Sequence, residues 1–148
     1  EDYLLESTQA LVLGTHTHPV TISAAEDLTR ILFALNERAE IRSTLQTLRL
    51  SNIPLNSIKK WEAMPDRKVV GEILSSACYL PESFTAALYF AWKYSDDFSL
   101  AVLANAKVGG DNCHRGVVVG SVVGMQTGIP RKWLHDLVAM EGLRCDTS

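Results

Sequence analysis

The chain has 148 residues, a net charge of −3, 47% hydrophobic residues and 21% charged ones, which is one domain's length and an ordinary folded composition, so intrinsic disorder is excluded. Asp and Glu number 17 against 14 Lys and Arg, leaving no electrostatic footprint for nucleic acid. No stretch approaches the roughly 18 apolar residues of a membrane span.

Cys78, Cys113 and Cys145 are odd in number and far apart, which does not describe a disulfide framework. No basic stretch followed by an apolar core opens the chain, and a reducing, cytoplasmic home is expected. The chain begins at Glu1, directly in a helical pattern, so a piece of a longer protein is also expected. Tyr3 to Val12 reads as a first helix ending at Gly14, followed by a break over Thr15-His16-Thr17-His18-Pro19, because Pro19 pushes His18 out of the helical region. Ser23-Ala24-Ala25-Glu26 reads as a capping box, opening a helix with Ala24, Leu28, Ile31, Leu32 and Leu35 on one face. Ile41 to Leu50 is helical, with a polar break at Ser51-Asn52. Leu55 to Met64 is a short helix stopped by Pro65, and Val69 to Leu74 another.

Pro81 opens a helix running to about Tyr94. Ser95-Asp96-Asp97 caps the next, Phe98 to Val108, which stops at Gly109-Gly110. Asp111-Asn112 begins a helix to about Thr127, and Pro130 begins a last one carrying Trp133, Leu134, Leu137 and Val138. Val117-Val118-Val119 alone favours strand. However, Gly116, Gly120, Gly124 and Gly128 recur every four residues, as a stripe along one side of a helix. Interior glycines cost a helix about 1 kcal/mol each relative to alanine, so close approach of another backbone should offset them. This helix is therefore expected to be the central, fully packed one of an all-α fold, a compact orthogonal bundle of several helices.

The chemistry concentrates in Val108-Gly109-Gly110-Asp111-Asn112-Cys113-His114-Arg115-Gly116. Two glycines allow backbone amides to face a ligand, and the following helix N-terminus adds partial positive charge, which suits a phosphate or carboxylate. Asp111 is also a natural N-cap, and a plain connection between helices stays open beside the ligand loop. His114 and Arg115 oppose the helix dipole in the first turn, which points to an anionic partner, either a ligand or another part of the protein. His16, His18, Cys113 and His114 together are conceivable zinc ligands, but without paired spacing. Cys113 at a helix N-terminus is a conceivable nucleophile, although neighbours in sequence do not face each other on a helix. Glu82, Asp96 and Asp97 read as first-turn and capping carboxylates, and Trp61, Trp92 and Trp133 as core or half-buried anchors.

From Tyr79 through Leu137 the order of features resembles the ADP-ribosylglycohydrolase family, which includes the dinitrogenase-reductase-activating glycohydrolases and the J-type lens crystallins. A tyrosine precedes a helix with Ala86-Ala87-Leu88. Then come Asp97-Phe98-Ser99-Leu100-Ala101-Val102, the Gly-Gly-Asp of 109–111, a glycine-rich apolar helix, Gly128-Ile129-Pro130 and Trp133-Leu134. The Thr15 to Pro19 break and the following Ala24-Ala25 are similar to the family's middle region. The match is weakest between about Arg38 and Ser76.

The resemblance implies an all-α domain about twice this length, of which this chain is the C-terminal half. The family holds two magnesium ions that activate an ADP-ribosyl group for hydrolysis at its anomeric carbon. Some ligands come from a Thr-Asp-Asp cluster without counterpart here, others from Gly-Gly-Asp-Thr-Asp-(Thr/Ser). In the latter motif Asp111 matches the first metal aspartate, whereas Cys113 stands for the second and His114 for the hydroxyl. A thiol and an imidazole are poor magnesium ligands. Two outcomes follow: Arg115 takes over as the phosphate-binding charge, or catalysis is lost.

The expected function is therefore hydrolysis or binding of an ADP-ribosyl group. Asp111 is its catalytic residue, Gly109, Gly110, Asn112 and Arg115 bind substrate, and Asp111, Cys113 and His114 occupy the metal positions, magnesium itself being in doubt. A non-catalytic, crystallin-like member is the alternative, and an unrelated helical interaction module using Trp133 and the last helix stands behind both. The expected partners are an ADP-ribose-like molecule or an ADP-ribosylated protein, and a matching N-terminal half or a second copy of the chain, with no nucleic acid or membrane.

Overall fold

A computed structural model describes residues 1–135, among which the chain is helical with no β-strand. Leu137, Val138 and Cys145 lie outside the described residues. Helices α1 (Asp2–Leu13) and α2 (Pro19–Asn36) pack on each other. α2 starts four residues before the Ser23 box. Pro19 lacks an N–H that a first helical position would leave unpaired, and its ring presets the helical φ. His18 stays extended and caps the helix, its Nδ1 accepting the Val20 amide at 3.2 Å. Ser23 thus lies inside the helix and donates to the Val20 carbonyl. The expected apolar face holds: Ile31 and Leu35 are buried, with Ala24, Leu28 and Leu32 packed against the core.

Three short helices follow, α3 (Ile41–Thr47), α4 (Leu55–Trp61) and α5 (Asp66–Lys68). Val69–Ile73, expected as helix, forms a wide turn instead, in which Val70 (φ −102°) and Gly71 (φ 139°) leave helical values. Two β-branched residues followed by a glycine give a helix little support there, and the turn closes through the Gly71 amide on the Leu74 carbonyl at 2.7 Å.

α6 (Glu82–Lys93) is the centre of the fold. Every residue from Phe84 to Trp92 is buried, the pattern of a helix surrounded by its neighbours on all sides. α7 (Phe98–Val108) starts as expected, with Asp97 Oδ1 accepting the Leu100 amide at 2.9 Å. α8 (Asn112–Thr127) packs on α2, α6 and α7, and α9 (Arg131–His135) places the half-buried Trp133 edge-on to Phe98.

The central position thus falls to α6 and not to α8. α8 buries only Arg115, Val119, Val122 and Val123, and leaves Val117 68% exposed. Its glycines do not admit a neighbouring backbone. A Cβ at Gly116 would meet the Asn105 side chain, at Gly124 the side chains of Phe98 and Ile129, and at Gly120 nothing within 4 Å. Gln126, a polar residue in this apolar helix, ties its end down, accepting the Ile41 amide at 2.6 Å and donating to the Ser95 carbonyl.

A partly buried polar cluster borders the core. Asp66 accepts hydrogen bonds from the Tyr89 and Tyr94 hydroxyls, each at 2.7 Å, and from Lys93 Nζ at 2.8 Å. Burial alone would raise the carboxyl's pKa, but the hydrogen bonds from Lys93, Tyr94 and Tyr89 and the Lys93 charge outweigh it and hold it below the ordinary aspartate value of 3.8. A depressed folded-state pKa means stability that is present above the unfolded value and lost as pH falls through the folded one. Asp66→Asn is therefore expected to cost about 2 kcal/mol at pH 7, the worth of lost charge-assisted bonds. Urea unfolding across pH should show that cost shrinking only below pH 3.8; a pH-independent cost would remove the carboxylate's charge as its source.

Candidate functional site

Between α7 and α8 the backbone turns through Gly109 (φ 81°, ψ −152°) and Gly110 (φ 66°), conformations that cost an L side chain dearly. The turn rests on the loop before α6. The Asp111 amide donates to the Ser76 carbonyl at 2.8 Å, and Gly110 lies so close to Ser76 that a Cβ would stand 2.6 Å from the serine Cβ. That loop is held in turn by Glu82, whose carboxylate accepts the Ser75 amide at 2.8 Å. Glu82 is thus a brace for the site as well as a first-turn acid.

Arg115 fastens the junction from inside. It is 2% exposed and carries its guanidinium under the loop. Nε donates to Asn105 Oδ1 at 2.6 Å, Nη2 to the Gly109 carbonyl at 2.8 Å and, longer, to the Asn105 carbonyl, and Nη1 to the Ser76 carbonyl. Asn105 completes the ring by donating to the Asn112 carbonyl at 2.9 Å. Burial pushes the guanidinium's pKa down, and the nearby Asp111 charge opposes that. Where an anionic partner was expected, the hydrogen bonds of Arg115 go to neutral oxygens of the protein itself, with Asp111 the nearby negative charge, and they hold the loop in place.

Asp111 and His114 come together at the surface. The Asp111 side chain does not cap α8; its Oδ1 instead pairs with His114 Nδ1 at 2.7 Å. The three-residue spacing puts both on one face of the first helical turn. The histidine side chain is 85% exposed and the aspartate 22%. Both line a cavity of about 330 Å³ together with Arg115, walled by Leu80, Phe84 and Val118 and edged by Cys78 and Ser83. Tyr79 stands beside it in sequence, 71% exposed. The loop's amides divide. Those of Gly109, Asp111 and Asn112 are spent on Ala106, Ser76 and Gly110, whereas those of Gly110, Cys113 and His114 have no partner among the described residues. A helix N-terminus with unpaired amides attracts anions.

The other expected groupings do not assemble. Cys113 is exposed and its Sγ contacts Asn112 Oδ1, so it pairs with neither Asp111 nor His114. His16 meets Thr15 Oγ1 and His18 is the α2 cap, which leaves the zinc set dispersed. Among the described residues no three His, Cys, Asp or Glu side chains stand together as a metal-holding group. Magnesium requires several oxygen ligands in near-octahedral array. One carboxylate already bonded to an imidazole, beside a thiol that faces away, does not fit it.

Compared with known families, the chain matches the family described as ADP-ribosylglycohydrolase over residues 2–146. It belongs to that family. The match runs through the stretch before Ser76 where the motifs were weakest, and it agrees with the all-α fold. No curated protein and no solved structure matched the chain significantly. Around the turn of Gly109 to Asp111, two residues hold the loop that sequence motifs did not single out. Asn105 carries a readable signal, a polar side chain on the buried face of an apolar helix. Ser76 carries none, since it acts through its backbone carbonyl.

Proposed function

We propose that the protein hydrolyses an ADP-ribosyl glycoside held at the Gly109–His114 loop. The observation that carries this reading is the Asp111–His114 pair on the edge of an apolar-walled cavity, within a chain of the ADP-ribosylglycohydrolase family. The free amides of Gly110, Cys113 and His114 support a diphosphate at the start of α8. The apolar wall of Leu80, Phe84 and Val118 suits the less polar part of a nucleotide.

In hydrolysis the bond from the anomeric carbon to the leaving atom breaks and a water oxygen takes its place, while one water proton passes to the leaving group. A carboxylate that fixes an imidazole through Nδ1 leaves the second ring nitrogen for proton transfer. Asp111 positions that imidazole, and its charge also favours the buried Arg115 that holds the loop. Because the donor set does not fit magnesium, no step is assigned to a metal.

Asp111→Asn is expected to lower release of free ADP-ribose from an ADP-ribosylated peptide by roughly 10²- to 10⁴-fold, the usual worth of a positioned acid–base group, with an unchanged circular dichroism spectrum. Unchanged turnover removes Asp111 from the reaction. A second reading is a binding protein without turnover, favoured by the free amides of Gly110, Cys113 and His114, which hold an anion without any proton transfer. That protein would raise its melting temperature with ADP-ribose by mass action and release nothing from the peptide.

A further inference from the structure

Another cavity, of about 350 Å³, lies against the end of α7, where Ala104, Lys107 and Val108 line it with Asp66, Arg67 and Tyr94. We propose that it is a second ligand site, taking a phosphate monoester on a compact apolar body. Its walls, Pro65, Leu100, Ala104 and Val108, are apolar and leave Leu100 47% exposed. The carboxylate in it, Asp66, is neutralised by Lys93 and by the Tyr89 and Tyr94 hydroxyls. Arg67 and Lys107 are not neutralised. Neither meets a carboxylate within 4.0 Å among the described residues, on a chain whose net charge is −3.

The two cations are held at one place. Arg67 Nη2 donates to the Lys107 carbonyl at 3.1 Å, which closes the end of α7 and keeps the guanidinium beside the residue that bears the ammonium. Capping a helix end accounts for that one N–H. The remaining guanidinium donors take no partner among the described residues, and Arg67 and Lys107, both exposed, line the cavity, where apolar walls concentrate the field of like charges. Two cations match the double charge of a phosphate monoester, with the planar fork of arginine suited to two of its oxygens. The apolar walls ask for more than inorganic phosphate. The cavity is at the small end for ligand sites, so the body it takes is a single ring or a short chain. This inference does not depend on the glycohydrolase reading, since Asp111 and His114 line the other cavity.

The test is a titration of the isotope-labelled protein with phenyl phosphate, inorganic phosphate and phenol, followed by amide chemical shifts. Phenyl phosphate should shift Arg67, Tyr94, Leu100 and Lys107 and bind more tightly than either fragment. Lys107→Gln, which leaves the backbone carbonyl in place, should weaken it about tenfold, and Arg67→Gln should weaken it in a protein whose remaining spectrum is unchanged. Shifts centred on Gly109 to Arg115, phenyl phosphate no tighter than inorganic phosphate or phenol, or unaltered affinity in Lys107→Gln would each overturn the proposal.

Discussion

Arg115→Ala is expected to destabilise the protein by about 3–5 kcal/mol, the summed cost of buried acceptors left without a donor, each about 1–3 kcal/mol. The deletion strands the Gly109 carbonyl and Asn105 Oδ1, and leaves the Ser76 carbonyl with the Asp111 amide as its remaining donor. Buried acceptors without a donor cost their full desolvation. It also opens space against Phe90, whose ring lies 5.9 Å below the guanidinium carbon. Arg115→Lys should recover only part of this, because an ammonium cannot reach three acceptors fixed in the plane of a fork. Urea denaturation of both variants, with Asn105→Ala in a double-mutant cycle, measures the effect. A coupling of about 1–3 kcal/mol between the two residues is expected for direct partners in one network. A phosphate-binding Arg115 would behave oppositely, with near-native stability in Arg115→Lys and a loss confined to ligand affinity.

The same residue marks the limit of what the sequence discloses. Its position in the first turn of a helix, against the dipole, pointed to an anionic partner, whereas its hydrogen bonds go to neutral oxygens of Asn105, Gly109 and Ser76. That outcome depended on how deeply the side chain is buried, which no local spacing encodes. The Asp111–His114 contact, by contrast, suits a three-residue separation at a helix start, and Cys113 stays apart from His114 because sequence neighbours do not face each other on a helix. The all-α class was legible because apolar residues recur at three and four throughout. The identity of the central helix was misread for a definite reason. Four glycines in register suggested intimate packing for α8, although glycine spacing says only that backbones are permitted to approach. The uncharged run Phe84 to Trp92 was the stronger indication, since nine consecutive residues without a charge leave a helix no face for water. The wide turn at Val69–Ile73 was missed because its apolar spacing resembles a helix, while Val70 and Gly71 both leave helical angles.

Gly110→Ala is the sharpest test of how the Gly-Gly-Asp loop is built. Its φ of 66° is costly for alanine by about 1–2 kcal/mol before any contact is considered. The new methyl would also meet Ser76, with the serine Cβ at 2.6 Å and its carbonyl carbon at 2.9 Å. Neither can yield cheaply, because the Ser76 carbonyl accepts the Asp111 amide and Arg115, while Glu82 holds the preceding amide. A total cost of about 3–4 kcal/mol is expected, at the upper end for single substitutions, together with loss of any ligand response at Asp111 and His114. Gly120→Ala provides the contrast. That glycine lies within α8 with nothing inside 4 Å of the added methyl, so alanine should stabilise by about 0.5–1 kcal/mol through helix propensity alone. Thermal or urea unfolding of the pair should therefore move in opposite directions. If Gly110→Ala were as mild as an ordinary surface change, Ser76 would not be the seat of the loop. The Asp111–His114 pair would then owe its position to α8 and not to the clasp between the two loops.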